Sequence, residues 1–304
     1  FVAGKRAAVS YSRVNELLSA VPEVSDPPDP APARFEREIT FEDVSFTHPG
    51  SPQPVLSGIR LTVPKGQKVA VMGEVGCGKS TLVNLLLRFY EPTDGRVAID
   101  GTDIRRMRLS DLRGLFGYAP QEALLFSETI LDNVIFHRDD VDRDRAMEAS
   151  RLAQLDKEVA AFPSGFDTLV GQRGTSLSGG QRQRASLARA VVERIAAGHP
   201  QVLVLDDITS ALDATTEALV WQELEARLPG VTCFIVSHRT STIERADLIV
   251  VLRDGRIEEM GTHAELTARN AYYVSLRERE MLQEGGSGTA GTGHGLRTAR
   301  RSPG

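Results

Sequence analysis

The stretch that decides the fold is Gly73-Glu74-Val75-Gly76-Cys77-Gly78-Lys79-Ser80-Thr81. The short apolar run Val69-Ala70-Val71-Met72 precedes it, and the mainly apolar segment 82–87 follows it. A strand, a glycine-rich turn, a lysine, a hydroxyl residue and a helix in this order are typical of a phosphate-binding loop (P-loop). Its glycines let the backbone curl so that N–H groups point inward at an anion. The sequence therefore predicts a nucleotide site rather than a glycine-rich turn that happens to end in Lys-Ser.

The residues of this loop have predicted roles at that site. Lys79 is expected to reach the outer phosphates, and the Ser80 hydroxyl is expected to ligate Mg²⁺. The start of the following helix adds free N–H groups and the positive end of its dipole. The other predicted nucleotide-binding residues are Gly73, Glu74, Val75, Gly76, Cys77, Gly78 and Thr81.

The composition of the chain bounds its class. It has 304 residues, of which 41% are hydrophobic and 25% charged, as in a soluble globular protein. The formal net charge of −5 gives no reason to expect nucleic acid as a partner. No apolar run approaches the ~18 residues of a membrane span. Cys77 and Cys233 are too few for a disulfide framework and favour a reduced, cytosolic setting. Because the first residue is Phe1, we expect a piece of a longer chain.

Four regions can be separated along the chain. Residues 1–34 have helical apolar spacing up to residue 21, followed by a proline-rich stretch that predicts a stiff linker. Residues 35–280 form the main domain, with about 122–190 as a helical subdomain. Residues 281–304 are rich in Gly and then in Arg, which predicts a disordered tail.

The pattern within the main domain predicts an α/β fold. Alternating apolar residues from Phe35 onward indicate antiparallel strands. Two later runs, Val202–Leu205 and Thr232–Val236, are almost wholly apolar, as in buried parallel strands. The expected architecture is a mixed or parallel sheet core with an antiparallel β subdomain and a helical insertion.

Two further patterns are candidates for chemistry. Asp206 and Asp207 follow an apolar strand, so that Asp206 is placed to hold Mg²⁺ opposite Ser80. Read alone, this pair could equally be a helix N-terminal cap. The second pattern is Leu177-Ser178-Gly179-Gly180-Gln181, which precedes the strongly helix-forming segment 182–189. It predicts either an anion site at the start of a helix or an ordinary N-cap and turn.

Six motifs together resemble those of ATP-binding-cassette (ABC) proteins over about residues 35–280. They occur in the order found in that family: Walker A (73–81), a Q-loop glutamine (Gln121), the signature Leu-Ser-Gly-Gly-Gln (177–181), Walker B (202–206), a D-loop (210–213) and a switch histidine (His238). The segments 126–133 and 162–168 resemble exporter segments in particular, and the helix before the linker resembles the cytoplasmic end of an exporter's last transmembrane helix. The resemblance implies a P-loop NTPase fold of the ABC ATPase type.

The resemblance also implies ligands, roles and partners. ATP and Mg²⁺ would bind the domain. Gln121 would contact Mg²⁺ and the attacking water, and His238 would contact the γ-phosphate. The signature residues Ser178, Gly179, Gly180 and Gln181 would bind the nucleotide of a second ABC domain, arranged head to tail. A transmembrane domain would be the other partner, and the chain would lie at the cytoplasmic face of the membrane.

The sequence departs from the family pattern at the catalytic carboxylate. Most active relatives have Glu after Walker B, whereas this chain has Asp207. The carboxylate is withdrawn by about 1.5 Å, one C–C bond, and a misplacement of ~1 Å can lower a rate ~100-fold. We therefore expect intact ATP binding with slow hydrolysis, as in a degenerate subunit of a heteromeric exporter. A slow homodimer is the alternative within this class.

Two other departures concern His48 and Gln172. His48 stands where an aromatic residue stacks on adenine, so its imidazole would have to stack, unless it is an exposed loop residue. Gln172 stands where exporters often have Glu, which predicts altered coupling to the transmembrane part. The alternative functions are a soluble ABC ATPase outside transport and a nucleotide switch with negligible hydrolysis.

Overall fold

The computed structural model describes residues 11–15, 19, 22–139, 141–171, 177–197, 201–269 and 272–286. Of the N-terminal helix predicted up to residue 21, residues 11–15 and 19 are helical, and the rest of that segment lies outside the described residues. Gln172 also lies outside them, so the expected change in coupling stays a prediction.

Four strands form an antiparallel sheet in the order β2-β1-β4-β5. Their bounds are Glu38–Phe46 (β1), Leu56–Pro64 (β2), Asp94–Ile99 (β4) and Thr102–Asp103 (β5). This is the antiparallel β region that the alternating sequence predicts.

Six strands form the second sheet in the order β10-β9-β3-β8-β7-β6. Their bounds are Lys68–Gly73 (β3), Phe116–Ala119 (β6), Val202–Asp206 (β7), Thr232–Val236 (β8), Leu248–Arg253 (β9) and Arg256–Gly261 (β10). Strands β9, β3, β8, β7 and β6 are parallel to their neighbours, and β10 returns antiparallel to β9. The predicted mixed sheet is therefore confirmed.

Besides the helical residues 11–15 and 19, ten α-helices lie within the described residues. Their bounds are Lys79–Leu86 (α1), Leu109–Gly114 (α2), Ile130–Ile135 (α3), Arg143–Leu152 (α4), Asp156–Val159 (α5), Gly179–Ala197 (α6), Ala214–Arg227 (α7), Thr240–Ile243 (α8), His263–Arg269 (α9) and Tyr272–Gly286 (α10). Two 3₁₀ turns occur at Ile104–Arg106 and Gly165–Asp167. Helices α3 to α6 all fall between β6 and β7, where the helical insertion is predicted.

The six-stranded sheet is covered on both faces, which explains its apolar strands. Val202 and Val204 pack with the antiparallel sheet and α1. Leu203 and Leu205, which alternate with these valines along the strand, pack with α4, α6 and α7. Successive side chains of a strand point to opposite faces, so a strand buried on both faces is apolar throughout.

The same topology brings the candidate residues to one edge of the sheet. Parallel strands β3, β8 and β7 are neighbours, and their carboxyl ends are Gly73, Val236 and Asp206. Loops that follow parallel strands meet at this edge, where open α/β folds bind ligands.

The start of the predicted tail needs correction, and the predicted linker is bound to the main domain. The tail predicted from residue 281 is wrong at its start, because α10 extends to Gly286; Met, Leu, Gln and Glu at 281–284 are good helix formers and continue the helix. Residues 287–304 lie outside the described residues. The linker is anchored to the domain, since the guanidinium of buried Arg88 donates to the Ser25 carbonyl at 2.8 Å and Ala31 forms a single β-bridge with Met107.

Candidate functional site

The P-loop joins β3 to α1, and its glycines are required by its shape. Gly73, Gly76 and Gly78 all have positive φ, at 150°, 83° and 106°. A Cβ on Gly73 would collide with the Leu252 carbonyl and lie 2.6 Å from the Cys77 sulfur. A residue with a side chain would therefore distort the loop at that position.

Lys79 lies beneath the loop with only 8% of its surface exposed. Its Nζ donates to the carbonyl oxygens of Gly73 at 2.8 Å and Glu74 at 3.0 Å. The ammonium group is thus held at the floor of the loop, with a third N–H free in principle for a ligand. This is the position from which a lysine can neutralise a bound phosphate.

The two aspartates follow the fully buried strand β7. Burial raises the pKa of Asp206, and the hydrogen bond from Ser80 opposes this rise. Burial also raises the pKa of Asp207, against the opposing charges of His238 and Lys79. A cation bound here would favour the charged form of both carboxylates and so oppose this effect of burial.

Asp206 and Asp207 do not cap a helix, which was the alternative from sequence. The N-cap of α7 is Asp213, whose carboxylate accepts the backbone N–H of Thr215 at 3.1 Å and of Thr216 at 2.9 Å. The two aspartates are left to face the sheet edge.

One cavity of about 330 Å³ brings most of the candidates together. It is lined by Val55, Val75, Gly76, Gly78, Lys79, Ser80, Thr81, Gln121, Asp206, Asp207, Val236 and His238. Within this cavity a buried ammonium group faces two carboxylates, an amide and an imidazole. Such a set suits a polyphosphate accompanied by a divalent cation.

The oxygen donors of this cavity fit Mg²⁺. The Ser80 hydroxyl, the Asp206 carboxylate and the Gln121 amide oxygen are hard ligands of the type that Mg²⁺ prefers. Within the part of the chain that the structure describes, no group of three or more His, Cys, Asp or Glu residues could hold a metal by itself. Mg²⁺ commonly binds through one or two carboxylates together with substrate phosphates, so the donors present are sufficient.

The signature residues lie elsewhere on the chain. Ser178 and Gln181 form a capping box at the start of α6, with the Ser178 N–H donating to Gln181 Oε1 at 2.8 Å and the Gln181 N–H to Ser178 Oγ at 3.2 Å. A Cβ on Gly180 would lie 2.9 Å from the Ala211 carbonyl. The N-cap predicted from sequence is present, while none of Ser178, Gly179, Gly180 and Gln181 lines the cavity.

His48 packs against other aromatic rings at one side of the antiparallel sheet. Its imidazole makes edge-on contacts with Phe46 at 4.8 Å and Tyr90 at 5.4 Å between ring centroids. It is half-buried and does not line the cavity. Stacking on adenine therefore stays a prediction for this residue.

Cys77 is an inert thiol in this geometry, so we predict slow alkylation. It is 8% exposed, and burial raises the pKa of its thiol despite the nearby Lys79 charge; burial raises the pKa of Cys233 to about 12. Since only the thiolate reacts, maleimide at pH 7.5 should label both cysteines at least ~10-fold more slowly than free cysteine, whose pKa is ~8.5. Mass spectrometry of labelled peptides measures this rate, and ATP-sensitive fast labelling of Cys77 would contradict it.

One polar network in this region is not evident from motif patterns. Glu217 is 4% exposed on the apolar face of α7, and its carboxylate accepts the Arg239 guanidinium at 2.7 Å. Arg239 follows His238 directly. The sequence has one signal of a buried partner for Glu217. This charged residue precedes Val220, Trp221 and Leu224 at helical spacing, so it lies on the buried face of the helix.

Comparisons with known proteins agree with this arrangement. A family model described as ABC transporter matches residues 56–210. The chain is 42% identical over 287 residues to a probable multidrug resistance ABC transporter ATP-binding/permease protein of Bacillus subtilis, covering 93% of this chain and 48% of that protein. It is 44% identical over 267 residues to an ATP-dependent lipid A-core flippase of Chromohalobacter salexigens, covering 88% and 45%.

A solved structure is also similar. The fold matches that of a bacterial Atm1-family ABC exporter with ATP bound, with a TM-score of 0.83 and 35% identity, covering 91% of this chain and 47% of that one. The chain thus spans about half the length of these relatives.

Proposed function

The chain belongs to the ABC transporter family, and on this premise we propose that it is the ATP-hydrolysing motor domain of an exporter. The observation that carries the proposal is the single cavity in which Lys79, Ser80 and Asp206 meet Gln121 and His238. The family domain binds ATP. The proposal adds that the domain also binds Mg²⁺, hydrolyses ATP, drives transport and acts together with the partners described below.

Six residues of the cavity have a chemical task in this proposal. Lys79 and the N–H groups of the loop bind the phosphates, and Ser80 and Asp206 would hold Mg²⁺, with Gln121 beside them. Bound Mg²⁺ would offset the negative charge that develops on the phosphates. His238 contacts the terminal phosphate, and Asp207 orients the water that attacks it.

We propose that hydrolysis at this site is slow. Asp207 ends one methylene short of the usual glutamate, and its backbone is fixed in the left-handed region at φ 50°. The Ser210 hydroxyl donates to its carbonyl at 2.9 Å, so the main chain has little freedom to advance the carboxylate. A slow site with an intact signature motif supports a role in a heteromeric exporter, and a slow homodimer is the alternative.

A second nucleotide-binding domain is the expected partner. The signature residues lie outside the cavity of their own chain, so that Ser178 and Gly180 are available to the nucleotide of a second copy or of a related subunit. Two domains arranged head to tail would complete both sites.

ATP should therefore drive association when hydrolysis is blocked. With Asp207→Asn, which keeps the shape but removes the base, we expect Mg-ATP to convert the chain from monomer to dimer in sedimentation-velocity runs. Lys79→Ala serves as the control that lacks the phosphate contact and should stay monomeric. A variant that stays monomeric at saturating Mg-ATP would contradict the proposed association.

An exposed apolar surface supports docking of a transmembrane domain. Leu124, Phe126, Phe136 and Leu169 are 68%, 43%, 43% and 57% exposed in the helical insertion. Phe126 and Phe136 lie 5.6 Å apart between ring centroids, and the Arg189 guanidinium covers Phe136 at 4.6 Å. Exposed apolar patches of this kind mark interaction sites.

We infer that this surface receives the membrane part of the transporter at the cytoplasmic face. No helix among the described residues is long and apolar enough to span a bilayer.

A nucleotide switch with negligible hydrolysis is the second candidate function, and the observation that favours it is Asp207 itself.

A further inference from the structure

We propose that Arg239 is a positioning residue for ATP hydrolysis, which holds the loop after Asp207 against the loop that carries His238. The inference rests on the proposed hydrolysis and adds to it a residue that lies outside the cavity lining. We call this set of groups the Arg239 clamp: it consists of Arg239, the Glu217 carboxylate and the carbonyls of Ser210 and Leu212.

Glu217 is the fixed end of the Arg239 clamp. It lies in the first turn of α7 with its carboxylate buried, and it accepts hydrogen bonds from Arg239 Nη1 at 2.7 Å, from Ser241 Oγ at 3.1 Å and from the Thr242 hydroxyl. A buried carboxylate is stable only when it is paired and hydrogen-bonded in this way. Its partners all come from the loop and helix that follow β8.

The guanidinium of Arg239 joins this anchor to the D-loop. Its Nη2 donates to the Leu212 carbonyl at 2.6 Å and to the Ser210 carbonyl at 3.3 Å. The Arg239 N–H donates to Ser237 Oγ at 3.1 Å, which fixes the main chain on either side of His238. One planar fork thus connects the loop after β7 with the loop after β8.

The D-loop is also held from α6, the helix that begins with the signature motif. Gln183 is 9% exposed; its Oε1 accepts the Ala211 N–H at 3.3 Å, and its Nε2 lies 3.4 Å from Ser210 Oγ. Arg239 and Gln183 therefore hold the same loop from two different elements, the loop after β8 and helix α6. A change at the signature helix can reach Asp207 and His238 through this loop.

This arrangement assigns a positional task to Arg239. Asp207 and His238 must be held to within a fraction of an ångström of their working geometry, because a misplacement of ~1 Å can cost ~100-fold in rate. Arg239 does not line the cavity, so its loss should leave nucleotide affinity almost unchanged. Lysine cannot replace it, since a single ammonium group cannot make the divergent, planar set of bonds.

The test compares Arg239→Ala, Arg239→Lys and Glu217→Gln with Arg245→Ala as matched control. Arg245 lies just after α8, and its side chain forms a 3.6 Å ion pair with Glu225 on the surface. The whole chain is used, and kcat, the Kd for Mg-ATP, the thermal midpoint and amide hydrogen exchange of residues 208–213 are measured. Parallel measurements with Asp207→Glu added provide a higher basal rate.

We expect Arg239→Ala and Arg239→Lys to lower kcat ~10-fold or more, with Kd changed less than ~3-fold. Exchange of the 208–213 amides should become at least ~10-fold faster in Arg239→Ala and unchanged in Arg245→Ala. Glu217→Gln keeps the shape but loses the charge, so it should lower kcat by a smaller factor.

Other outcomes would show whether the positioning role of Arg239 or the proposed ATP hydrolysis is wrong. If Arg239→Ala matches Arg245→Ala in both kcat and exchange, the positioning role is wrong. If kcat, the affinity for Mg-ATP and the thermal midpoint all fall together in Arg239→Lys as well as Arg239→Ala, Arg239 is only structural and the inference is again wrong. If the unmodified chain and Asp207→Glu bind Mg-ATP without hydrolysing it, the proposed hydrolysis fails, whereas the exchange measurement still decides whether the clamp holds the loop.

Discussion

Lys79→Ala is expected to weaken Mg-ATP binding by about 3 kcal/mol or more, which corresponds to ~100-fold in Kd. The Lys79 ammonium would make charge-assisted hydrogen bonds to phosphate, and such bonds are roughly twice as strong as neutral ones. The same group also donates to the carbonyls of Gly73 and Glu74. Alanine therefore removes both a ligand contact and the bonds that hold the loop in shape. Isothermal titration calorimetry measures the change.

Lys68→Ala is the matched control for this experiment. Lys68 begins β3, the strand that leads into the loop, and its Nζ makes a 3.1 Å ion pair with Glu225 on the surface. Exposed pairs contribute little, so Kd for Mg-ATP should stay within ~2-fold. Equal affinities in Lys79→Ala and Lys68→Ala would show that the P-loop is not the phosphate site.

Asp207→Glu is expected to raise kcat for ATP by as much as ~100-fold, while Kd for Mg-ATP changes little. The longer side chain moves the carboxylate about 1.5 Å further into the cavity, toward the water it must orient. Lys79, Ser80 and Asp206, the expected Mg-ATP ligands, are untouched. A phosphate-release assay at saturating Mg-ATP measures the gain.

The same substitution should lower stability slightly. Asp207 has a φ of 50°, and Asp is found in that left-handed region more readily than Glu. We therefore expect a loss of ~1 kcal/mol in the free energy of unfolding beside the gain in turnover. Asp207→Asn, which keeps the short side chain, should lower kcat below that of the unmodified chain. No gain in Asp207→Glu would remove the hypothesis that a short carboxylate makes this site slow.

Local spacing was sufficient to predict the P-loop and the sheet. The glycines of the loop, the lysine and the apolar strands before and after it act over a few residues, where main-chain geometry and side-chain size decide the conformation. The apolar runs at 202–205 and 232–236 predicted parallel strands, and both are parallel and fully buried. Because β3, β7 and β8 are neighbours, the candidate residues at their ends meet in one cavity.

Contacts between distant loops were not predictable in this way. Glu217 and Arg239 are 22 residues apart in sequence, and only the packing of α7 against β8 brings them together. The environment of Cys77 was also not predictable from spacing, since burial by distant residues raises the pKa of its thiol despite the nearby Lys79 charge. The tail boundary failed for a simpler reason, because composition indicated disorder although helix formers continue to residue 284.

The most direct test of the central claim is the Mg²⁺ dependence of ATP binding by the unmodified chain. Calorimetric titrations with excess Mg²⁺ and with EDTA should differ at least ~10-fold in Kd, because in the proposed site Ser80 and Asp206 would contribute through the metal. In Asp206→Asn this difference should shrink. Equal affinity for ATP in both buffers, or no binding in either, would contradict the account of the site.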